Sequence, residues 1–596
     1  MRMLRTVAAL TLSVVLVAPA AAQAGAAETP PRVPEQVGRG GAVSSVDPDA
    51  SQIGIDVLRR GGNAVDAAVA TAAALGVTDP FSAGIGGGGF FVYYDARTGR
   101  VSTLDGRETA PRAATDQLFV ENGTPLPFAE AVTSGLSVGV PGTPKTWQQA
   151  LRKWGSLNLR EAMAPAEALA RRGFVVDQTF NTQIANNAAR FADFTSTRDL
   201  YLPGGQPPAV GSTFRNPQLA DTYRELARTE LASLYGGQVG RELVKAVQQP
   251  PVVPGSTRNV RKGAMEISDL ARYQVERREP THTRYRGLDV YGMPAPSSGG
   301  TTVGEALNIL ESTDLANVSD VQYLHRFLEA SRLSFADRLR WVGDPAFSRV
   351  PTDGLLSQKF ADTRACLIKS DTVLSAPQPA ADPDNPKACE ATAGPSLLRE
   401  DAERTTHLTV ADRWGNVVAY TLTIESEGGS GIVVPGRGFL LNNELTDFEF
   451  VAPTPGVPHP NLPGPGKRPR SSMAPTIVLD HGKVKLAVGS PGGATIITTV
   501  LQILTARLDR DMSLLDAVAA PRASQRNSAT NTTPAEAEFI ADQEVVPGLQ
   551  AIGHKFSLNA EIGAATGVER AKDGRWRAVA EPKRRGGGAA RVVWVG

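Results

Sequence analysis

The stretch that most restricts this chain is residues 403–429, ERTTHLTVADRWGNVVAYTLTIESEGG. Two runs rich in Thr, Val and Leu flank a turn-forming segment, Asp412–Asn416, which is the pattern of a β-hairpin. A five-residue loop over 412–416 sets Ala411 opposite Val417. Continued outward, the same register sets Thr405 opposite Thr423, with Cβ atoms roughly 5 Å apart. Side chains alternate with period two, so Glu425 falls on the face of Thr423. A cross-strand Thr–Thr pair that only stabilises a sheet accounts for the hairpin taken alone.

It does not account for the abrupt start, with two hydroxyls directly after Glu403-Arg404. Threonine is a weak nucleophile until a base sits beside it, and its own free α-amino group can be that base. That amine titrates near about 7.7–8.0, well placed for proton transfer at neutral pH. Thr405 has a free amine only if the Arg404–Thr405 bond is cut. A strand meant to become an N-terminus would begin in this way.

The rest of the chain divides around this point. Residues 50–77 read as helix, Gly-Gly turn, helix, and 90–95 and 101–106 read as strands. Residues 143–172, 216–248 and 319–341 carry helical spacing, with Ser319 as an N-cap. A Pro-rich, poorly structured tract covers about 370–402. Beyond it, 405–424, 437–448, 473–479 and 484–489 read as β and 494–518 as helix. The expectation is a mostly helical first part and a β-rich second part beginning at Thr405. With 596 residues, the chain can hold several domains or one large two-part unit.

Charge narrows the partners. Lys and Arg number 62 against 61 Asp and Glu, a net charge of +1. That balance argues against nucleic acid or an anionic membrane as the main partner. The densest basic runs are KRPR (467–470) and KRR (583–585), of which the second reads as solvated surface. Arg2 and Arg5 precede an apolar run, Val7–Val17, followed by Pro19 and small residues through Ala27. This is the layout of a signal peptide cut near Ala24–Glu28. The apolar run is too short to span a bilayer. The expected product is exported, with no stable membrane anchor. In an oxidising compartment Cys366 and Cys389 suggest a disulfide. The alternative is two unrelated buried thiols, but the Pro-rich sequence between them has little else to hold it.

Other motifs carry less. GIGGGG (84–89) fits the dinucleotide fingerprint in letters. A helix precedes it and a strand follows, the reverse of what a phosphate cradle requires. Close backbone crossing is the simpler reading. GLSVG (135–139) has the letters of a nucleophile elbow at Ser137, but Val-Pro-Gly follows where a helix should begin. No H-E-x-x-H, C-x-x-C or close His pair suggests a metal. His407, alone on its strand, reads as structural.

Several blocks in order resemble the γ-glutamyltranspeptidase, or glutathione hydrolase, family of N-terminal-nucleophile enzymes. They are DPFSAGIGGGGFF (79–91), LDGRETAP (104–111), MPAPSSGGTT (293–302), TTHLTVADRWGNVVAYTLTIE (405–425), GFLLNNELTDF (438–448), GPGKRPRSSMAPTIV (464–478) and VGSPGG (488–493). The resemblance covers nearly the whole chain after the leader. It implies an α+β, four-layer αββα sandwich, self-cleaved into a large subunit (28–404) and a small one (405–596), interlocked after cleavage. It implies Thr405 as nucleophile, Thr423 as the hydroxyl that bonds it, and Gly492 and Gly493 as the oxyanion hole, where glycine lets N–H groups approach the developing charge. Arg107, Ser471 and Ser472 resemble the groups that take the substrate's α-carboxylate; a guanidinium fork suits that task. Glu444 and Asp447 resemble the acceptors of its α-ammonium. KRPR falls inside one of these blocks, which weakens a surface reading for it.

The implied reaction is γ-glutamyl transfer from glutathione and similar amides, through a Thr405 ester, to water or to an amino-acid or dipeptide acceptor, with no cofactor. This sequence departs from the family at Glu425, where Asn is usual. Glu425 can accept from an ammonium as Asn does, and it repels a neighbouring carboxylate. The Pro-rich stretch 451–466 also lacks the aromatic lid residue of some bacterial members. Three alternatives stand beside this reading: an acylase of the same fold taking a glutaryl-type side chain, a Ser137 hydrolase, and an uncleaved binding protein without catalysis.

Overall fold

The computed structural model describes residues 29–387, 389, 405–454 and 456–594. The expected leader (1–27), Arg404, and residues 388 and 390–402 of the Pro-rich tract lie outside them. Ahead of the tract the strands of two large sheets are β1 (Glu35–Gly38), β2 (Gly41–Ser45), β3 (Gly88–Asp95), β4 (Arg100–Gly106), β5 (Glu276–Arg278), β6 (Thr281–Tyr285) and β7 (Leu288–Gly292). After it come β8 (Thr406–Asp412), β9 (Val417–Thr423), β10 (Thr476–Asp480), β11 (Lys483–Gly489), β12 (Thr566–Arg570), β13 (Trp576–Ala580) and β14 (Ala589–Val592). One sheet runs β14-β2-β8-β9-β3-β4-β5 and the other β1-β13-β12-β11-β10-β7-β6. Neighbouring strands are antiparallel throughout both.

Each sheet takes strands from both sides of Thr405. The change of texture there is therefore no boundary between folding units. Local pattern shows where strands begin, but which strands pair is set by long-range burial.

The hairpin β8–β9 has the register that its loop dictates, with Ala411 paired to Val417 and Thr406 to Leu422. Asp412 explains the loop. Its carboxylate accepts from the backbone N–H groups of Trp414 and Asn416 and from Asn416 Nδ2, at 2.9, 3.0 and 2.8 Å. It also accepts from Ala64 N–H, at 3.0 Å, the first residue of the helix Ala64–Thr78. A carboxylate at a helix N-terminus satisfies an orphan donor and complements the dipole. The turn is thereby fixed to the helix behind it.

Both faces of this sheet are buried, so its strands read as continuous apolar runs. Val43, Phe91, Tyr93, Leu408, Val410, Val418 and Tyr420 pack into one core with α1 (Pro48–Arg59) and α2 (Ala64–Thr78). Phe90, Val92, Ala411, Val417 and Ala419 turn the other way. They share a second core with Val478, Leu486, Val488, Val568 and Ala578 of the other sheet. That core continues into α3 (Gly299–Glu311), α4 (Asp320–Trp341) and α5 (Thr495–Leu508). Every residue of α2 is buried, as its Ala-rich sequence permits. An Asn63–Asp66 capping box starts it. Ser319 caps α4 by accepting from Gln322 N–H.

The GIGGGG segment is a backbone crossing. A Cβ on Gly87 would lie 2.0 Å from the Thr423 carbonyl oxygen, and one on Gly86 2.0 Å from that of Leu440. The expected strand over 437–448 does not form. Residues Val433 and Leu440 make a single bridge, and Glu444–Asp447 is a 3₁₀ turn. Asn442 is the reason, because its Oδ1 takes the N–H groups of Gly139 and Glu444 that a ladder would otherwise use. Cys366 and Cys389 are joined, with Cα atoms 5.5 Å apart. Among the described residues no helix is long and apolar enough to cross a membrane.

Candidate active site

Thr405 lies one residue before β8 and Thr423 ends β9. Their hydroxyl oxygens are 3.3 Å apart, a long hydroxyl pair. Both residues are buried. Thr423 Oγ1 also accepts from Glu425 N–H at 2.8 Å. The carbonyl oxygen of Thr405 accepts from Arg585 Nη1 at 2.8 Å.

One narrow pocket takes in Thr405, Thr423, Glu425, Arg107, Glu444, Asp447, Ser471, Ser472 and Gly493. Gly492 lies one residue behind. The structure thus gathers onto one cavity residues that are more than 300 positions apart in the chain. Gly492 and Gly493 have φ of +132° and +50°, and α5 starts two residues later. The turn from β11 into a helix N-terminus needs this left-handed backbone.

Glu425 reaches the pocket by a route other than strand alternation. β9 has ended at Thr423, and Glu425 sits at φ +76°. Its Oε2 accepts from Ser426 Oγ and Asn443 Nδ2. Asn443 also takes Ser426 N–H on its Oδ1 at 3.0 Å, so it fixes the 425–426 turn.

Arg107 follows directly on β4 and is fully buried. Its Nη1 donates to Glu444 and its Nη2 to Asp447. Nε and Nη2 also donate to the carbonyls of Pro469 and Arg470, at 3.1 and 2.9 Å. The guanidinium fork is therefore spread over two acids and is not open as a free clamp. Burial works against its charge, but Glu444 and Asp447 outweigh it and hold Arg107 firmly protonated. Burial pushes the Glu444 carboxyl up to about 7, with Arg107 opposing and Asp447 adding. Behind them Glu108 is pushed well above the ordinary range by burial and by the charge of Glu444.

KRPR is buried structure. Arg468 pairs with Asp105 at 2.9 Å and Arg470 with Glu449 at 2.9 Å. KRR departs from the surface reading. Only Lys583 is exposed; Arg584 is buried against Glu536 and Glu581, and Arg585 touches Thr405. Ser137 is fully buried and donates to the carbonyls of Val132 and Ser134, both at 2.9 Å, which makes it a turn residue. His407 bonds Thr421 and Thr409 at 2.8 and 3.1 Å. Burial lowers it to about 3, so it stays neutral.

Sequence reasoning missed Glu108, Asn443, Arg338 and Arg585. Glu108 stands next to Arg107 in LDGRETAP, and Asn443 next to Glu444, so adjacency was the available signal for these two. Nothing local marks the other two.

The sequence pattern of the family Gamma-glutamyltranspeptidase matches residues 50–591. The chain is 38% identical over 590 residues to a glutathione hydrolase proenzyme of Bacillus subtilis, covering 96% of both. It is 34% identical over 573 residues to an acylase ACY 1 proenzyme of a Pseudomonas species, covering 93% of this chain and 95% of that one. A crystal structure of cephalosporin acylase from Bacillus halodurans superposes with a TM-score of 0.81 at 27% identity, over 95% of this chain and 98% of that one.

Proposed function

We propose, from the premise that the chain belongs to the γ-glutamyltranspeptidase family, that it is an exported, self-cleaving γ-glutamyl hydrolase and transferase. It is an enzyme of the glutathione hydrolase type. The observation that supports the finer reading is the placing of Thr405 and Thr423 in one pocket with Arg107, Glu444, Asp447, Ser471 and Ser472. The hydroxyl of Thr405, with that of Thr423 beside it, faces a set of charges suited to an α-amino acid.

In the first phase Thr405 Oγ attacks the Arg404 carbonyl. The peptide bond breaks, the acyl group moves to oxygen, and the Thr405 amine is released. Water then hydrolyses the ester and leaves Arg404 with a free carboxylate. The products are a large piece, 28–404, and a small one, 405–596, interlocked in a four-layer αββα sandwich after loss of the leader over 1–27. In the second phase the amine takes the Thr405 hydroxyl proton as Oγ attacks the γ-carbonyl. N–H groups at Gly492 and Gly493 receive the oxyanion. The amine product departs with the proton, and water or an acceptor amine resolves the ester. Ser471 and Ser472 donate to the α-carboxylate with Arg107 behind them, while Glu444, Asp447 and Glu425 accept from the α-ammonium.

A second reading, an acylase for glutaryl-type side chains, draws on the acylase relatives. It meets a physical objection. A glutaryl group has no ammonium to offset Glu425, which carries a third carboxylate beside Glu444 and Asp447.

Intact mass and turnover test the proposal together. A fragment of roughly 20 kDa beginning at Thr405 is expected, with release of p-nitroaniline from L-γ-glutamyl-p-nitroanilide. Thr405→Ala is expected to abolish both. A Thr405→Ala protein still cut at this bond would sink the mechanism.

A further inference from the structure

We infer that Arg338 is a positioning residue that makes the Ser471–Ser472 end of the pocket selective for a carboxylate; the inference rests on the reading that these serines receive one. Arg338 lies on α4, is 5% exposed, and does not line the pocket. Its Nε donates to Ser298 Oγ and its Nη2 to Ser472 Oγ, both at 2.7 Å. Its guanidinium lies 5.3 Å from the Phe335 ring, which helps to hold it in place.

The consequence follows from the count of donors. A serine hydroxyl has one proton and two lone pairs, and left to itself it rotates to suit its neighbours. A guanidinium has only donors. Ser472 must therefore accept from Arg338, which leaves its single proton for a different acceptor. Ser471 is held likewise, since its Oγ accepts from Met473 N–H at 3.1 Å. Ser298 donates to neither hydroxyl. Its own hydroxyl proton goes to the Ser471 carbonyl at 2.6 Å, and its backbone N–H reaches the same oxygen at 2.7 Å.

The fork from Arg338 thus ties the Ser298 turn to Ser472 and sets the Ser472 hydroxyl with its oxygen engaged by protein, while Met473 N–H does the same for Ser471, so that both protons are left for the pocket. The charge on Arg338 also polarises the O–H that it bonds, and linked hydrogen bonds strengthen one another. A carboxylate, which only accepts, meets two aligned donors. An ammonium or an amide N–H placed there finds only the one lone pair that each serine has left.

The test compares L-γ-glutamyl-p-nitroanilide with 4-aminobutyryl-p-nitroanilide, which differs only in lacking the α-carboxylate. Arg338→Lys keeps the charge and loses the fork. It is expected to raise KM for the first donor roughly tenfold, with kcat within about threefold and kcat/KM for the second donor unchanged within about threefold. Ser298→Ala, which cuts one arm of the fork, is expected to shift KM in the same direction by less. Equal loss on both donors would mean that Arg338 only supports the fold, and an unchanged KM in both variants would overturn the inference. If Arg338→Lys fails to mature, Ser298→Ala decides alone, because a wild-type KM there removes the fork from the account. Should the wild-type enzyme ignore γ-glutamyl anilide and take glutaryl-p-nitroanilide, the γ-glutamyl reading fails. Arg338 is then read from glutaryl against butyryl anilide in the same way.

Discussion

Replacing Glu425 by Asn tests which acyl group the pocket is built to hold. Glu425 is 7% exposed and lines the pocket beside Glu444 and Asp447. Two unit charges about 6 Å apart interact by roughly 1.4–2.8 kcal/mol at an effective dielectric of about 20–40. A γ-glutamyl donor brings a carboxylate and an ammonium, on which Glu425 acts with opposite signs, so most of this cancels. A glutaryl donor brings only the carboxylate and takes the whole repulsion. Removing the charge is therefore expected to raise kcat/KM for glutaryl-p-nitroanilide roughly ten- to a hundredfold, with L-γ-glutamyl-p-nitroanilide held within about threefold. The backbone should tolerate the change, since Asn populates positive φ more readily than Glu and Glu425 stands at +76°. Asn also keeps an oxygen that can accept from Ser426 and Asn443. The assay is steady-state hydrolysis of both anilides by the matured protein, with intact mass confirming maturation. Equal changes on the two donors, or no gain on the glutaryl one, would refute the claim that the Glu425 charge repels a donor carboxylate that brings no ammonium.

Glu444, pushed up to about 7, is anionic above that pH and neutral below it, so ammonium binding weakens as pH falls. KM for γ-glutamyl donors should rise about tenfold per pH unit below 7, and Glu444→Gln should abolish that limb of the profile. Replacing both Cys366 and Cys389 by Ser removes a link across 23 positions and should cost about 3 kcal/mol of stability; a lower Tm with unchanged KM is expected, since neither residue lines the pocket. Ser137→Ala loses a buried hydroxyl that bonds two carbonyls and should cost about 1 kcal/mol, with kcat/KM unaffected.

What the sequence made legible is local chemistry. The Thr405–Thr423 pairing could be worked out because Asp412 fixes the loop and the loop fixes the register. The glycine run could be read as a crossing because the elements on either side were in the wrong order for a phosphate. Cross-chain partners were hidden. Arg584 reads as surface until Glu536 and Glu581 are seen against it, and nothing near Arg338 in sequence announces Ser472, 134 positions away. Residues 437–448 looked like strand because apolar spacing says nothing of Asn442 taking the N–H groups a ladder needs. Glu425 reached the expected place through a left-handed turn and not through the alternation that foretold it.

The two sheets, each woven from strands on both sides of Thr405, bear on what hydrolysis of the 404–405 bond could do to the molecule. Thr405 stands just outside β8, so scission there removes no rung of the ladder. The contact between the two products would be the interior of one fold and not a docked surface. Such products would melt in one transition and would not trade places between molecules in a mixture. Two halves made apart would have to fold around each other from the start. Cutting the chain would change its covalent identity and add a charged amine at Thr405 and a carboxylate at Arg404, and leave its mechanical unity untouched.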